Sequence, residues 1–311
     1  MPTPSTPRRV LLVFLDGVGI GADDPGANPL AAARMPRLRG MLGGRLPLRE
    51  HLEEGRIEGE GAVLVAADAP LGVAGRPQSG TGQTALFTGE NAPALFGRHF
   101  GSWVPTPLRP LLAERSLLAR AVRAGRSAAF ANAYPVSVFG VEAFVGKRPA
   151  APPLAAHAAG LLVRDRDELR AGLAVASSIT REGWLRQLGV DLPAVTAEEA
   201  GRHLAAIAAG HEVTLFAHYD TDAVGHRGEM APAVAALERV DAFLGGLLDA
   251  LPADALLVVA SDHGNVEDVG AGHTLNPVPV IASGPGREAL AGRVRDLTHV
   301  APALLGLLGI A

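Results

Sequence analysis

Seven side chains able to bind metal or act as nucleophiles occur in four separated segments of the sequence. They are three carboxylates, three imidazoles and one hydroxyl: Asp16 in VFLDGVGIG, Ser79 in PQSGTGQTALFTG, Asp222 and His226 in DTDAVGH, and Asp262, His263 and His273 in SDHGN and GHTLNP. Mixed oxygen and nitrogen donors suit divalent transition metals. Such ions activate bound hydroxyls and polarise phosphoryl oxygens. The set therefore predicts a two-metal site that activates an alcohol against a phosphorus ester.

The spacing within the last two segments indicates how the ions would be shared. Asp222 and His226 are four residues apart, so on a helical turn both face one ion. Asp262 and His263 are adjacent, and we expect their side chains to diverge toward two different ions. His273 follows ten residues later, after a glycine-rich loop that would return it to the site.

Ser79 is the predicted nucleophile, because it lies in a glycine-rich stretch just before a predicted helix over 82–88. The free amides and positive dipole end of a helix N-terminus favour an alkoxide. Thr81 and Thr84 are alternative nucleophiles, although we expect Thr84 to lie inside the helix. Each segment alone has a structural explanation, such as a turn or a helix cap. The occurrence of all four at similar strand ends favours a site.

The elements that would position these residues alternate between apolar strands and helices, which predicts an α/β fold with a mostly parallel central sheet and helices on both faces. The predicted strands cover 9–15, 62–73, 127–134, 212–217, 255–260 and 278–282, and the further predicted helices cover 108–123, 197–209, 232–250 and 297–308. Ligands of such sheets lie beyond the carboxyl ends of the strands. Asp16, Asp222 and Asp262 each follow a predicted strand, so we expect them at one edge.

Composition excludes several other classes of function. The chain has 311 residues, is 48% hydrophobic and carries 28 Lys+Arg against 32 Asp+Glu, which argues against a broad nucleic-acid surface. It has no cysteine, so disulfides and Cys-bound zinc are excluded. No apolar run approaches the roughly 18 residues of a membrane span, and MPTPSTPRR does not resemble a secretory signal. We therefore expect a soluble cytoplasmic protein without a membrane partner.

Five motifs, LDGVGIGADD, SGTG, DAVGH, SDHGN and HTLNPVPV, together resemble the alkaline phosphatase superfamily. The closest likeness is to its branch of cofactor-independent phosphoglycerate mutase and phosphopentomutase. The closing LTHVAPALLGLLG is similar to the final helix of the superfamily. The likeness covers about 10–90 and 205–311. It implies a metal-binding, alkaline-phosphatase-like core over 8–134 and 205–311, with 135–204 as a small insertion or substrate-facing segment.

The resemblance also implies a role for each of the seven side chains. Asp16, Ser79, Asp262 and His263 would surround one ion, and Asp222, His226 and His273 would hold the other. Ser79 would attack phosphorus and become phosphoserine during the cycle. The two ions would be Mn²⁺ or Zn²⁺, and the mixed ligands suit both.

The sequence departs from that branch in three respects. Gln83 stands where a histidine usually follows the glycine of the nucleophile loop. The large cap domain of the mutases is reduced or absent. Their arginine-rich substrate motif is not evident, which leaves scattered cations as candidate substrate contacts: Arg98, His99, Lys147, Arg148 and Arg181.

The missing cap bears on the reaction, because a mutase must hold its dephosphorylated intermediate and exclude water. We therefore predict a phosphatase that acts on a small phosphorylated metabolite. A phosphomutase is the first alternative. A non-catalytic metal-binding homologue is the second, and the presence of all seven ligand-type residues argues against it.

Overall fold

The computed structural model describes residues 6–310, and seven strands form its central sheet in the order β2-β3-β7-β6-β1-β5-β4. The strands are β1 (Arg9–Leu15), β2 (Arg56–Glu58), β3 (Ala62–Ala67), β4 (Ala128–Phe130), β5 (Val213–His218), β6 (Ala255–Ala260) and β7 (Val278–Ser283). The α/β class is as predicted. β1 has β5 and β6 as its neighbours, and every residue of β5 and β6 is buried, as expected of strands covered on both faces.

The sheet is mixed, so the prediction of a mostly parallel sheet is wrong. β4, β5, β1 and β6 run parallel, whereas β7 is antiparallel to both β6 and β3, and β2 is antiparallel to β3. A parallel strand after β6 would need a crossover to the other end of the sheet, usually through a helix. The segment 261–277 contains no helix and stays at the carboxyl end of β6, so the next strand returns antiparallel.

Helices cover both faces of the sheet. They are α1 (Pro29–Ala32), α2 (Pro36–Met41), α3 (Ser79–Thr88), α4 (Ala92–Phe96), α5 (Arg109–Arg115), α6 (Leu117–Arg123), α7 (Val136–Phe139), α8 (Glu142–Val145), α9 (Ala151–Ala158), α10 (Arg166–Arg170), α11 (Glu182–Leu188), α12 (Ala197–Ala209), α13 (Asp220–Arg227), α14 (Met230–Ala250), α15 (Arg287–Ala291) and α16 (Val300–Leu307), with 3-10 turns at Arg49–His51, Thr106–Leu108 and Leu297–His299. The predicted helix over 108–123 is two helices, because Ser116 is extended and its hydroxyl caps α6 at the amide of Ala119.

The side chains of β1 alternate between the two faces of the sheet and pack into two separate hydrophobic cores. Leu12 and Phe14 pack with residues of α3, α5, α6, α9 and α16, whereas Leu11 and Val13 pack with residues of α1, α2, α12 and α14. The helix α9 lies within 135–204 and α12 begins there, so this segment contributes to each core. Its separation as an insertion stays a prediction.

No helix in residues 6–310 is long and apolar enough to cross a membrane. The prediction that the chain has no secretory signal rests partly on residues 1–5, which lie outside the described residues.

Candidate metal centre

All seven predicted side chains come together at the carboxyl ends of β1, β5 and β6. Asp16 directly follows β1, and its backbone amide donates to the carbonyl of His218 at the end of β5, at 2.9 Å. Asp262 follows β6 after one residue, Asp222 and His226 lie on α13, and Ser79 is the first residue of α3. Gly17 makes the turn possible, because its φ is +68° and a Cβ there would lie 2.6 Å from Asp222 Oδ1.

Asp222, His226 and His273 form one group, whose ligand atoms all lie within 4.8 Å of one another. His226 Nε2 is 3.2 Å from Asp222 Oδ2, and His273 Nε2 is 3.5 Å from Asp222 Oδ1. His273 Nδ1 is 2.8 Å from the carbonyl oxygen of Pro77. Because a carbonyl only accepts, Nδ1 carries the proton and Nε2 presents its lone pair to the group.

Asp16, Asp222 and His263 form a second group within the same distance limit. His263 Nε2 is 3.4 Å from Asp16 Oδ1 and 3.5 Å from Asp262 Oδ2. Asp262 and His263 thus converge, and the prediction that they diverge is wrong, because the segment after β6 is not extended. Asp222 belongs to both groups, whereas the resemblance implied that it serves one ion.

Ser79 is buried beside this second group, with its Oγ 2.9 Å from His263 Nε2. The Nδ1 atom of His263 faces the carbonyl of Gly264, so Nε2 is the acceptor and the Ser79 hydroxyl donates. The two alternative hydroxyls bond to backbone instead. Thr84 donates to the carbonyl of Gly80, and Thr81 donates to that of Gln78.

The buried carboxylates repel one another strongly. Burial, followed by the charges of Asp262 and Asp222, holds the pKa of Asp16 well above its usual range. Burial and the charge of Asp222 raise the pKa of Asp262 to about 7. Asp16 Oδ1 and Asp262 Oδ2 are buried oxygens without a hydrogen-bond partner. Since buried unpaired oxygens are costly, this donor set fits divalent cations, which would satisfy both atoms.

The surroundings shift the pKa values of His263 and His273 in opposite directions. Burial, with a smaller effect of His273, lowers the pKa of His263 to about 3, so its ring is neutral. Burial opposes ionisation of His273, but Asp222 and the carbonyl of Pro77 raise its pKa. Burial likewise acts to raise the pKa of Asp222, yet the bonds and charges of its imidazole neighbours lower it to about 2.

Two buried polar residues that were not predicted as site residues hold ligand side chains in place. Gln83, noted in the sequence only as a departure, donates from Nε2 to Asp16 Oδ2 at 3.1 Å. Asn265 donates from Nδ2 to Asp222 Oδ1 at 2.6 Å. A signal for Asn265 existed, since it ends the SDHGN motif.

Glu267 joins the loop after β1 to the loop that carries His273. Its Oε2 accepts from the amides of Gly19 and Asn265 at 2.9 and 2.7 Å, and its Oε1 accepts from Thr274 and Asn276. The carboxylate of Glu267 therefore accepts hydrogen bonds at both oxygens and stabilises the packing of these two loops against each other.

A cavity of about 250 Å³ opens beside Ser79, lined by Arg76, Gln78, Ser79, Ser102, Asp222, His226 and His273. None of the predicted substrate cations lines it. Arg98 lies over Phe96, His99 bonds to the carbonyl of Val73, Arg148 stacks on Trp103, and Lys147 accepts through its carbonyl from Arg109. The buried Arg181 donates to the carbonyls of Leu169 and Pro193. Their contact with substrate stays a prediction.

Comparison with known sequences finds relatives for the C-terminal part of the chain. A family model of the Metalloenzyme superfamily matches residues 193–311. A 2,3-bisphosphoglycerate-independent phosphoglycerate mutase from Cereibacter sphaeroides is 38% identical over 130 residues. That match covers 38% of this chain and 25% of the relative, so the alignment spans about a quarter of the length of such relatives.

Comparison with solved structures shows the same fold along nearly the whole chain. The PH0037 protein from Pyrococcus horikoshii aligns with a TM-score of 0.56 at 15% identity, covering 98% of both chains. The alkaline phosphatase from the Antarctic bacterium TAB5 aligns with a TM-score of 0.53 at 12% identity, covering 99% of both. The family model and the mutase relatives confirm the predicted resemblance for the C-terminal part of the chain. The solved structures show that the fold is shared along nearly the whole chain.

Proposed function

We propose that this chain is a two-metal phosphohydrolase of the alkaline phosphatase superfamily that acts on small phosphate esters. The observation that carries the proposal is the position of Ser79. Its hydroxyl lies 2.9 Å from a neutral imidazole, in the wall of a cavity that three ligand-type side chains also line. A nucleophile beside clustered carboxylates and imidazoles is the arrangement that phosphoryl transfer needs.

The seven side chains would hold two divalent ions, with Mn²⁺ or Zn²⁺ suited to the mixed donors. When bound, the ions would lower the pKa of the serine hydroxyl and stabilise charge on the phosphoryl and leaving oxygens. Gln83 and Asn265 hold Asp16 and Asp222 in orientation through their amide groups.

The residues of the chain itself supply the nucleophile and its setting. Ser79 Oγ loses its proton to water and forms a bond to phosphorus, while the bond from phosphorus to the ester oxygen breaks. The ester oxygen takes up a proton from water and departs as the alcohol. The positive dipole end of α3, where Ser79 lies, favours the anionic groups of this step. Water then cleaves the phosphoserine, which releases inorganic phosphate and restores the hydroxyl.

The test is incubation of the protein with Mn²⁺ or Zn²⁺ and a panel of small phosphate esters, with measurement of free phosphate. We expect metal-dependent release of phosphate. Absence of release from every ester, in a protein shown to contain two ions, would refute hydrolysis.

Phosphomutase activity is a second candidate, since the curated relatives are phosphoglycerate mutases by name. The same incubations distinguish the two reactions. A mutase would yield an isomerised phosphate ester and almost no free phosphate.

Metal is expected to stabilise the fold as well as to serve the reaction. A cation offsets the repulsion among Asp16, Asp222 and Asp262, so Mn²⁺ at about 100 times its Kd should add about 2.7 kcal/mol to the free energy of unfolding. In a chain of this size that corresponds to a melting temperature about 5 °C higher, measured by calorimetry. Chelation should reverse it, and KCl at equal ionic strength is the control. An unchanged melting temperature with two ions bound would contradict the expectation.

Gln83 is expected to tighten metal binding through Asp16. The variant Gln83→Leu removes the amide donor that orients this carboxylate, so the affinity for Mn²⁺ should fall about 10-fold to 100-fold by titration calorimetry. Thr88→Val is the matched control, because it removes a buried hydrogen bond from the far end of the same helix. Equal losses in both variants would show a general effect on α3.

A further inference from the structure

One wall of the cavity beside Ser79 is built from residues outside the ligand set, namely Arg76, Gln78 and Ser102. All seven lining residues have polar side chains, so the cavity suits a hydrophilic group. Its volume of about 250 Å³ is also below the roughly 300–1,000 Å³ of sites for drug-sized ligands. A phosphoryl group with a few further atoms would fill it.

Arg76 brings an uncompensated positive charge to this wall. Within residues 6–310 it forms no ion pair, and its side chain makes one hydrogen bond, from Nη1 to the carbonyl of Ala271 at 2.6 Å. A guanidinium has five N–H donors in a planar fork, so most of them stay available. Ala271 lies two residues before His273, and the bond therefore fixes the guanidinium against the loop that carries this ligand.

Ser102 is held beside Ser79 by close backbone packing. The amide of Gly80 donates to the carbonyl of Gly101 at 2.5 Å, and a Cβ on Gly80 would lie only 2.1 Å from the carbonyl oxygen of Trp103. The Trp103 ring in turn packs edge-on against Phe100. The segment 101–103 thus lies directly on the start of α3.

We infer that Arg76 and Ser102 form a phosphoryl-binding subsite for the proposed reaction of Ser79. The guanidinium would bind two non-bridging phosphoryl oxygens as a bidentate donor, and the Ser102 hydroxyl would donate to one of them. The subsite favours dianionic phosphate monoesters with a small, hydrophilic alcohol. It rests on the proposed function for its role, but it makes its own prediction about phosphate binding.

The test measures binding of inorganic phosphate to the Mn²⁺-loaded protein by titration calorimetry, alongside the metal content of each variant. Arg76→Ala should raise the Kd for phosphate about 10-fold to 100-fold with two ions still bound. Arg76→Lys keeps the positive charge but loses the planar fork of donors, so its Kd for phosphate should lie between those of the parent protein and Arg76→Ala. Ser102→Ala should raise the Kd by less than Arg76→Ala does. Arg8→Ala is the matched control and should leave the Kd unchanged. Arg8 is an exposed arginine directly before β1, at the amino ends of the parallel strands and so at the far end of the sheet from the site.

Several results would overturn the subsite. An unchanged Kd for phosphate in Arg76→Ala is one, and absence of phosphate binding to the parent protein is another. Loss of metal from Arg76→Ala would show that Arg76 holds the His273 loop instead. If Arg76→Ala impairs only the binding of phosphate esters that also carry a carboxylate, the guanidinium contacts the organic part of the substrate instead.

The outcome separates this inference from the proposed function. If phosphate binding depends on Arg76 while no ester is turned over, the subsite stands and hydrolysis falls. If esters are hydrolysed and the Kd for phosphate does not depend on Arg76, hydrolysis stands and the subsite is refuted.

Discussion

The variant Ser79→Ala is expected to lose metal-dependent turnover of phosphate esters by a factor on the order of 10³ or more. The reason is that the reaction needs an oxygen that bonds to phosphorus, and Ser79 Oγ is the hydroxyl that lies against the imidazole of His263. Six ligand-type side chains remain in the variant. We therefore expect it to bind two ions still, with kcat as the affected quantity and metal content measured in parallel.

Thr81→Val and Thr84→Val are the matched controls for Ser79, because they remove hydroxyls from the first two turns of α3 without adding volume. Their hydroxyls bond to backbone carbonyls, so turnover should persist. Acid-quenched reactions of the parent protein should in addition yield a phosphorylated peptide that contains Ser79. Undiminished turnover in Ser79→Ala, together with loss in Thr81→Val, would reassign the nucleophile.

The sequence was sufficient to place the strands that carry the ligands. The observed bounds of β1 and β6 match those predicted, since each is a continuous apolar run that ends at a polar residue. The spacing of Asp222 and His226 likewise predicted a shared helical face, and both lie on α13 at 3.2 Å from each other. Such features can be predicted from local patterns, because the order of apolar and polar residues along a short segment indicates its burial and its helical periodicity.

Strand direction and the surroundings of the ligands could not be predicted in the same way. An apolar run shows that β7 is buried but not that it runs antiparallel to β6, which depends on the path of 261–277. Gln83 and Arg76 each make a single side-chain contact with a distant segment, and Glu267 bonds to Gly19 in another part of the chain. No spacing in the sequence marks such contacts. The convergence of Asp262 with His263 has the same origin, because it follows from the local turn of a loop.

Asp222 is the residue at which the geometry and the family resemblance differ most, and its replacement is expected to weaken both metal sites at once. Its Oδ2 faces His226, its Oδ1 faces His273, and its ligand atoms also group with Asp16 and His263. Asp222→Asn keeps the shape but removes the charge and turns one acceptor into a donor. Replacing a residue that only orients a metal ligand costs about 10-fold to 100-fold in metal affinity. We therefore expect this change to a ligand itself to cost more than about 100-fold in affinity for each ion.

His226→Ala is the informative comparison for Asp222, because His226 belongs to one group only and is exposed. It should lose one ion and leave the second at Asp16, Asp222 and His263. Metal content by mass spectrometry and titration calorimetry would separate the two variants, and both should lose turnover. If Asp222→Asn instead retains one ion at unchanged affinity, Asp222 serves a single ion, because a bridging carboxylate cannot be altered without affecting both.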